Sequence, residues 1–304
     1  MPFRFSGGPV KVKDMSEESL LAAITPLLPR GEHTILGPGD DCAVIEAPGG
    51  SFVVTTDVLV QDQHFRTQWS SGFDIGARAA AQNLADVAAM GAVPTGMVVS
   101  MVLPGDTEVS WVEDCARGLA SYNIGVVGGD LSGGSYISIS VTAFGSVEGP
   151  AVTRGRAAPG QTLALAGTLG LSLRGFEALT EGKDDPAIDV FRVPRPPLEA
   201  GPIAAKAGAT AMMDVSDGLV RDAARIAKAS QVLIELDPAL LDAYVAEAGT
   251  IDRVLYGGED HSLLAVFPSD RVPDPFQPIG KVSAGQPGVV MEGKRLTGGW
   301  DHFA

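Results

Sequence analysis

Between Ile35 and Phe65 the chain sets acids beside apolar, strand-like runs, and this stretch constrains it more than any other. It reads Ile-Leu-Gly-Pro-Gly-Asp-Asp-Cys-Ala-Val-Ile, then Phe-Val-Val-Thr-Thr-Asp-Val-Leu-Val, then Gln-Asp-Gln-His-Phe, and carries Asp40, Asp41 and Asp57. Carboxylates gathered at the end of strands must be solvated, protonated, paired or given a cation. With only four His and two Cys in the chain, a soft-metal cage is disfavoured, whereas carboxylates with a Thr hydroxyl suit Mg²⁺. Gly-Pro-Gly-Asp-Asp also serves as a plain turn, and both readings stay open on this stretch alone.

The same pattern recurs downstream. Asn83 and Asp86 share a face of an apolar helical run that begins near Asp74 as N-cap and stops at Gly91. Gly128-Gly129-Asp130 follows a short strand and is expected to open it into a Gly-rich loop, where backbone N–H groups can approach a phosphate. Asp214 ends another apolar strand, after which Ser216 or Asp217 is expected to cap a helix. Capping accounts for Ser216 and Asp217 but not for Asp214. Tyr256-Gly-Gly-Glu-Asp makes a further Gly-acid loop. Many acids beside Gly-rich loops fit phosphoryl transfer, in which metal ions neutralise phosphate oxygens.

Alternating strand and helix patterns predict an α/β (α+β) chain, with a domain boundary near residue 150. A helix is expected from Ser16 to near Pro26. The charged, Pro-rich segment Glu181 to Pro197 reads as an exposed connection, Pro196-Pro197 as the opening of a helix, and Pro278-Ile-Gly-Lys-Val as a late turn. The net charge of −15, from 22 Lys and Arg against 37 Asp and Glu, disfavours nucleic acid and anionic membranes as partners. Two cysteines and the lack of a long apolar run or leader-like start lead us to expect a cytoplasmic protein. Walker, protein-kinase, serine-hydrolase and zinc-peptidase signatures are missing from the sequence.

In combination, Gly37-Pro-Gly-Asp-Asp-Cys-Ala-Val, Thr55-Thr-Asp-Val-Leu-Val with His64-Phe65, Asn83-Leu-Ala-Asp-Val-Ala-Ala-Met-Gly-Ala, Gly128-Gly-Asp, Asp214-Val-Ser-Asp-Gly-Leu, Gly257-Gly-Glu-Asp and the terminal Trp300-Asp-His-Phe resemble the thiamine-monophosphate kinase family. That family lies in the superfamily of aminoimidazole ribonucleotide synthetase and selenophosphate synthetase. The resemblance implies a two-domain fold of mixed sheets with helices packed on them. Residues 1–150 would be an ATP/Mg-binding and dimerisation domain, and 151–304 a domain completing the nucleotide and substrate site.

It also implies transfer of the γ-phosphoryl of ATP to thiamine monophosphate, with several Mg²⁺ ions, in a homodimer. By that likeness Asp41, Thr55, Thr56, Asp57, Asp86, Asp130, Asp214 and Asp217 would hold metals. Tyr122, Gly129, Asp130, Arg154 and Ser216 would contact ATP, and His64, Glu259 and Trp300 the thiamine compound. Asp57, Asp130 and Arg154 would carry the transfer itself. An aromatic face and a carboxylate suit a flat, cationic ligand.

Two departures from the family pattern stand out: Leu131-Ser132-Gly133-Gly134 after Asp130, and His261-Ser262 in place of the usual Tyr-Glu. The alternatives are another ATP-using enzyme of the superfamily, against which the terminal Trp300 motif argues, and a non-catalytic nucleotide sensor, which has little use for so many acids.

Overall fold

The computed structural model describes residues 10–15, 20, 23–29, 31–36, 44–47, 51–269 and 272–300. Asp40, Asp41 and most of the helix expected from Ser16 lie outside them; within its span Leu20, Ala23 and Ile24 are helical, as expected, and Thr25–Leu27 forms a 3-10 turn. By its contacts the chain divides into two compact units. One comprises Met1–Glu46, Thr56–Ala80 and Thr95–Ala143, the other Ala47–Thr55, Ala81–Pro94 and Phe144–Ala304.

The first unit opens with β1 (Thr34–Leu36) paired antiparallel to β2 (Val44–Ile45). It holds most of a four-stranded sheet in the order β3-β6-β4-β5, built from β3 (Phe52–Val60), β4 (Val93–Leu103), β5 (Val126–Gly133) and β6 (Ser138–Ser146). Strand β6 alternates half-buried and buried residues along its whole length, the period expected of a sheet with one covered face.

Helix α1 (Gly72–Ala89) has Ala77, Ala79, Ala80, Ala81, Leu84, Ala85, Val87 and Ala88 almost wholly buried, as its all-round apolar sequence requires. Its start differs from expectation. Ser71 is the capping residue and Asp74 the acid three positions on: Asp74 N–H donates to Ser71 Oγ at 3.2 Å, and Ser71 N–H to Asp74 Oδ2 at 2.8 Å. This is a capping box, which satisfies two of the helix's orphan donors at once. Helix α2 (Val109–Leu119) ends in a 3-10 turn at Ala120–Tyr122, closed by Asn123 in the left-handed region at φ 55°.

The second unit is built on a seven-stranded sheet in the order β13-β12-β9-β11-β7-β10-β8. Its strands are β7 (Thr162–Ala166), β8 (Ala211–Val215), β9 (Leu233–Leu236), β10 (Ser262–Phe267), β11 (Gln277–Ser283), β12 (Gly288–Met291) and β13 (Lys294–Leu296). Its central strands are buried on both faces and so read as unbroken apolar runs. Leu163, Leu165, Met213 and Val215 face a core shared with Leu219, Ala223 and Ile226 of α6 (Leu219–Ser230), Leu241 of α7 (Pro238–Ala248) and Val254 of α8 (Ile251–Tyr256). The alternate residues Ala164, Ala166 and Met212 face a second core with Ala88, and with Ala200 and Ala204 of α5 (Ala200–Lys206). Helix α3 (Leu171–Glu181) follows β7.

The segment expected to be an exposed connection contains α4 (Ala187–Arg192), which buries Ala187, Ile188 and Phe191. Phe191 meets Phe176 of α3 at a centroid distance of 5.6 Å, and Arg174 of α3 grips Asp185 at 2.8 Å. These long-range contacts outweigh the charged, Pro-rich composition. The helix expected to open at Pro196-Pro197 begins at Ala200, whose N–H donates to the Pro197 carbonyl. The expected turn at Pro278 lies within β11, which β7 and β9 flank on either side.

Candidate active site

In the first unit Asp57 stands exposed on β3. Alternation along the strand puts Thr55 and Asp57 on one face and Thr56 on the other. Thr56 Oγ1 donates to the Val141 carbonyl of β6 at 3.0 Å and accepts from Thr142 Oγ1 at 3.0 Å, so its hydroxyl is occupied within the sheet. His64 follows β3 in a turn, and its Nδ1 accepts from Val60 N–H at 3.0 Å, which leaves the ring proton on Nε2 when the ring is neutral. Tyr122 is half-buried in the 3-10 turn after α2.

Gly128, Gly129 and Asp130 lie inside β5 rather than in a loop beyond it. The strand runs parallel to β4 with Gly129 opposite Val99, and a Cβ on Gly129 would come within 1.9 Å of the Val99 carbonyl oxygen. The glycine therefore permits a close strand approach, not a turn. Asp130 next to it is exposed and accepts from Ser132 Oγ at 3.1 Å. Strands β6 and β4 separate Asp57 from Asp130 in the sheet order.

The second unit brings five of the expected site residues together. Asp214 is the penultimate residue of β8, its side chain 6% exposed, and is paired in register with Leu263 of β10. The 216–218 turn beyond it is held by two other segments. Glu259 N–H donates to the Ser216 carbonyl at 2.8 Å, and Trp300 N–H to the Asp217 carbonyl at 2.9 Å. Gly258 packs so tightly that a Cβ would sit 2.3 Å from the Ser216 carbonyl oxygen. Glu259 and His261 take φ of 67° and 51°, in the left-handed region that side-chain-bearing residues rarely occupy.

Neither Ser216 nor Asp217 caps α6; Gly218 occupies the cap position without a side-chain bond. Asp217 instead pairs with Arg225 at 2.5 Å and lies 3.7 Å from Arg221, while Arg225 also binds Asp222. Burial, with the charges of Asp214 and Asp217, pushes Asp222 up to about 7 against the pull of Arg225. Elsewhere in this unit Thr55 Oγ1 donates to Asp86 Oδ2 at 2.7 Å. Arg154 is exposed in a loop pinned by Ser230, whose Oγ donates to the Arg154 carbonyl at 2.7 Å and accepts from Ala157 N–H at 3.0 Å.

Two residues carry structural weight that sequence reasoning did not assign. Asp260 is 2% exposed and accepts from Thr168 Oγ1 at 2.9 Å, Gly170 N–H at 2.9 Å and Leu171 N–H at 3.2 Å, which fastens the 257–261 loop to the start of α3. Burial raises its carboxyl to about 6 despite those donors. His261 is buried with Nδ1 3.1 Å from Asp214 Oδ2 and Nε2 3.7 Å from Glu259 Oε2. Burial lowers its affinity for a proton, but the two carboxylates outweigh it and lift the ring to about 10. The sequence signal for His261 was its departure from the family pattern; Asp260 had none beyond a Gly-acid loop.

Among the described residues no group of three or more His, Cys, Asp and Glu stands ready to hold a metal ion. The donors are nonetheless hard oxygens, and Asp57 and Asp130 are open to solvent, which suits a hydrated divalent cation.

This fold and these acids place the chain among proteins related to AIR synthase: it matches the AIR synthase related protein N-terminal domain over residues 39–147 and the C-terminal domain over 158–299. It is 42% identical over 303 residues to the thiamine-monophosphate kinase of Mycobacterium tuberculosis strain H37Rv, covering 92% of this chain and 91% of that protein. The thiamine-monophosphate kinase structure from Stenotrophomonas maltophilia K279a superimposes with a TM-score of 0.80 at 30% identity, covering 93% of this chain and 98% of the other. A structure of AaThiL complexed with AMPPCP and TMP gives 0.78 at 33% identity, covering 97% and 99%. The chain belongs to the thiamine-monophosphate kinase family.

Proposed function

We propose that this chain performs its family's reaction, transfer of the γ-phosphoryl of ATP to thiamine monophosphate to give thiamine diphosphate and ADP, by direct in-line displacement. The observation that carries this reading is the gathering around one turn of Asp214, Ser216, Asp217, Glu259 and Trp300, the residues we assign to metal, nucleotide and thiamine binding. The AaThiL complex with AMPPCP and TMP supports the pair of substrates.

The acceptor is a phosphate oxygen, already anionic near neutral pH, so the transfer needs no general base and no covalent enzyme intermediate. The main barrier is repulsion between two polyanions. Mg²⁺, when bound, screens that repulsion and aligns the phosphates. Asp41, Thr55, Thr56, Asp57, Asp86, Asp130, Asp214 and Asp217 are the residues we assign to hold it, Thr56 through its backbone oxygen because its hydroxyl is engaged by β6. Arg154 supplies a further positive charge to the transferred group, Tyr122, Gly129 and Ser216 bind ATP, and His64, Glu259 and Trp300 bind the thiamine compound.

We assign residues 1–150 to ATP and Mg²⁺ binding and dimerisation, and 151–304 to completing the site. Strand β3 supports a homodimer: it is an edge strand of its sheet, and it exposes Phe52 by 56%, Val54 by 57% and Val58 by 45%, an apolar row on one face. No helix among the described residues is long and apolar enough to cross a membrane, and we read the protein as cytoplasmic.

The deciding experiment measures ADP formation with Mg²⁺-ATP, with and without thiamine monophosphate, in the wild type and Asp57→Asn, with thiamine diphosphate identified as product. Turnover that needs thiamine monophosphate and collapses in the variant is the expected result. ATP binding without thiamine diphosphate formation would remove the substrate assignment.

A further inference from the structure

The His261 ring is buried between two residues to which the reaction gives different tasks. Asp214 belongs to the metal side of the site and Glu259 to the thiamine side, so a role for the ring between them rests on the proposed kinase function. Nδ1 lies 3.1 Å from Asp214 Oδ2. Nε2 lies 3.7 Å from Glu259 Oε2, buried and without a hydrogen bond. Closing that gap takes a shift of about half an ångström.

The backbone fixes where the ring sits. His261 N–H donates to the Val215 carbonyl at 3.0 Å and Glu259 N–H to the Ser216 carbonyl at 2.8 Å, which holds both residues in their left-handed conformations beside Asp214. Asp260, between them, is locked by three hydrogen bonds to the Thr168–Leu171 segment, so the loop cannot swing away to relieve the contact. At 39% exposure the Glu259 side chain is the accessible member of the set, and the ring stands behind it.

We propose that His261 is a positioning residue for the phosphoryl transfer: its ring joins the Asp214 carboxylate to the Glu259 carboxylate and sets the direction in which Glu259 meets the cationic thiamine ligand. A partner behind a ligand-binding group fixes its orientation; at metal sites loss of such a partner weakens binding by about 10- to 100-fold, and we take the lower end of that range for Glu259. Glu259 has a long, rotatable side chain, so a fixed partner matters more for it than for Asp214, whose strand already holds it.

The test separates the two nitrogens. His261→Asn keeps an amide near the Nδ1 position and loses the reach to Glu259, and His261→Gln keeps a donor near the Nε2 position. For each we would measure KM for thiamine monophosphate, KM for ATP, the half-saturating Mg²⁺ concentration, kcat and Tm, together with Glu259→Gln and the His261→Asn/Glu259→Gln double variant. The expected result is a KM for thiamine monophosphate raised about tenfold in His261→Asn, with KM for ATP within about twofold of wild type, and recovery of most of that loss in His261→Gln. The double variant should be no worse than Glu259→Gln alone, because the histidine acts through the glutamate.

An unchanged KM for thiamine monophosphate in His261→Asn, additive effects in the double variant, or a fall in Tm with all kinetic constants shifted together would each overturn the proposal and leave His261 a packing residue. If Glu259→Gln itself left that KM unchanged in an active kinase, the placement of substrate at Glu259 would fall, and the proposal with it. Absence of thiamine diphosphate formation by the wild type would instead sink the function on which both depend.

Discussion

Thr55 on β3 donates its hydroxyl hydrogen to Asp86 on α1 across 2.7 Å, so two residues 31 positions apart that we assign to the metals are already joined. A hydrogen bond to a carboxylate both orients it and favours its ionised form, the form a divalent cation requires. Thr55→Val keeps the shape and removes the donor. We expect it to raise the half-saturating Mg²⁺ concentration severalfold and to cost about 1–2 kcal/mol in denaturant unfolding, with Thr55→Ser restoring both. An unchanged Mg²⁺ dependence would separate this pair from the metals.

The buried carboxylate of Asp260 gives a pH signature. Its pKa is raised from 3.8 to about 6, so the folded state holds the proton more tightly than the unfolded one. The resulting stabilisation is full below about pH 4 and is lost as pH rises through about 6. Asp260→Asn should remove that slope. It should also cost about 2–3 kcal/mol at pH 6, because the amide cannot accept from all the donors that the carboxylate serves. Urea unfolding of both proteins at pH 4.5, 6 and 7.5 checks slope and offset together; parallel pH profiles would refute the assignment.

Arg225 bridges Asp217 and the fully buried Asp222, and its charge opposes the burial that raises the Asp222 carboxyl to about 7. Replacing it by Met lets Asp222 take up a proton instead of standing as an unpaired buried charge, so the loss of the pair costs about 1–2 kcal/mol near neutral pH and more as pH rises above about 7. Thermal unfolding of Arg225→Met should show a clear drop, whereas Lys228→Met on the same helix, an exposed change, should stay within about 0.5 kcal/mol of wild type.

At Gly129 the parallel strands β4 and β5 meet too closely for any side chain. Gly129→Ala should destabilise the protein by about 1–3 kcal/mol as the strands are forced apart, and should weaken ATP binding along with it. The neighbouring Gly128→Ala is the control, since its Cβ would find only Val98 Cγ1, at an ordinary contact distance of 3.7 Å. Isothermal titration with a non-hydrolysable ATP analogue separates the two variants.

The exposed row on β3 carries the dimer prediction. Val54→Lys, on a residue 57% exposed, should leave a folded chain that sediments as a monomer, where the wild type sediments as a dimer. A dimeric variant would move the subunit contact away from β3.

The sequence by itself determined the parts of this protein that depend on local order. Periodicity foretold α1 as a helix buried all round, β6 as a half-covered strand and β8 as the strand that delivers Asp214, because side-chain alternation and helical spacing are written in consecutive residues. The acid-rich motifs likewise led to the family without any coordinates. Tertiary structure alone decided where composition and packing disagree. Residues 187–192 coil into a helix because Phe191 finds Phe176, Gly128-Gly129 stays in a strand because Val99 lies against it, and Asp217 turns to Arg225 rather than capping α6. None of those partners is a near neighbour in sequence, apart from Arg225 two helical turns on. The seating of His261 between Asp214 and Glu259 is of the same kind: Asp214 lies 47 residues earlier in the chain, and only the pairing of β8 with β10 brings the two side by side.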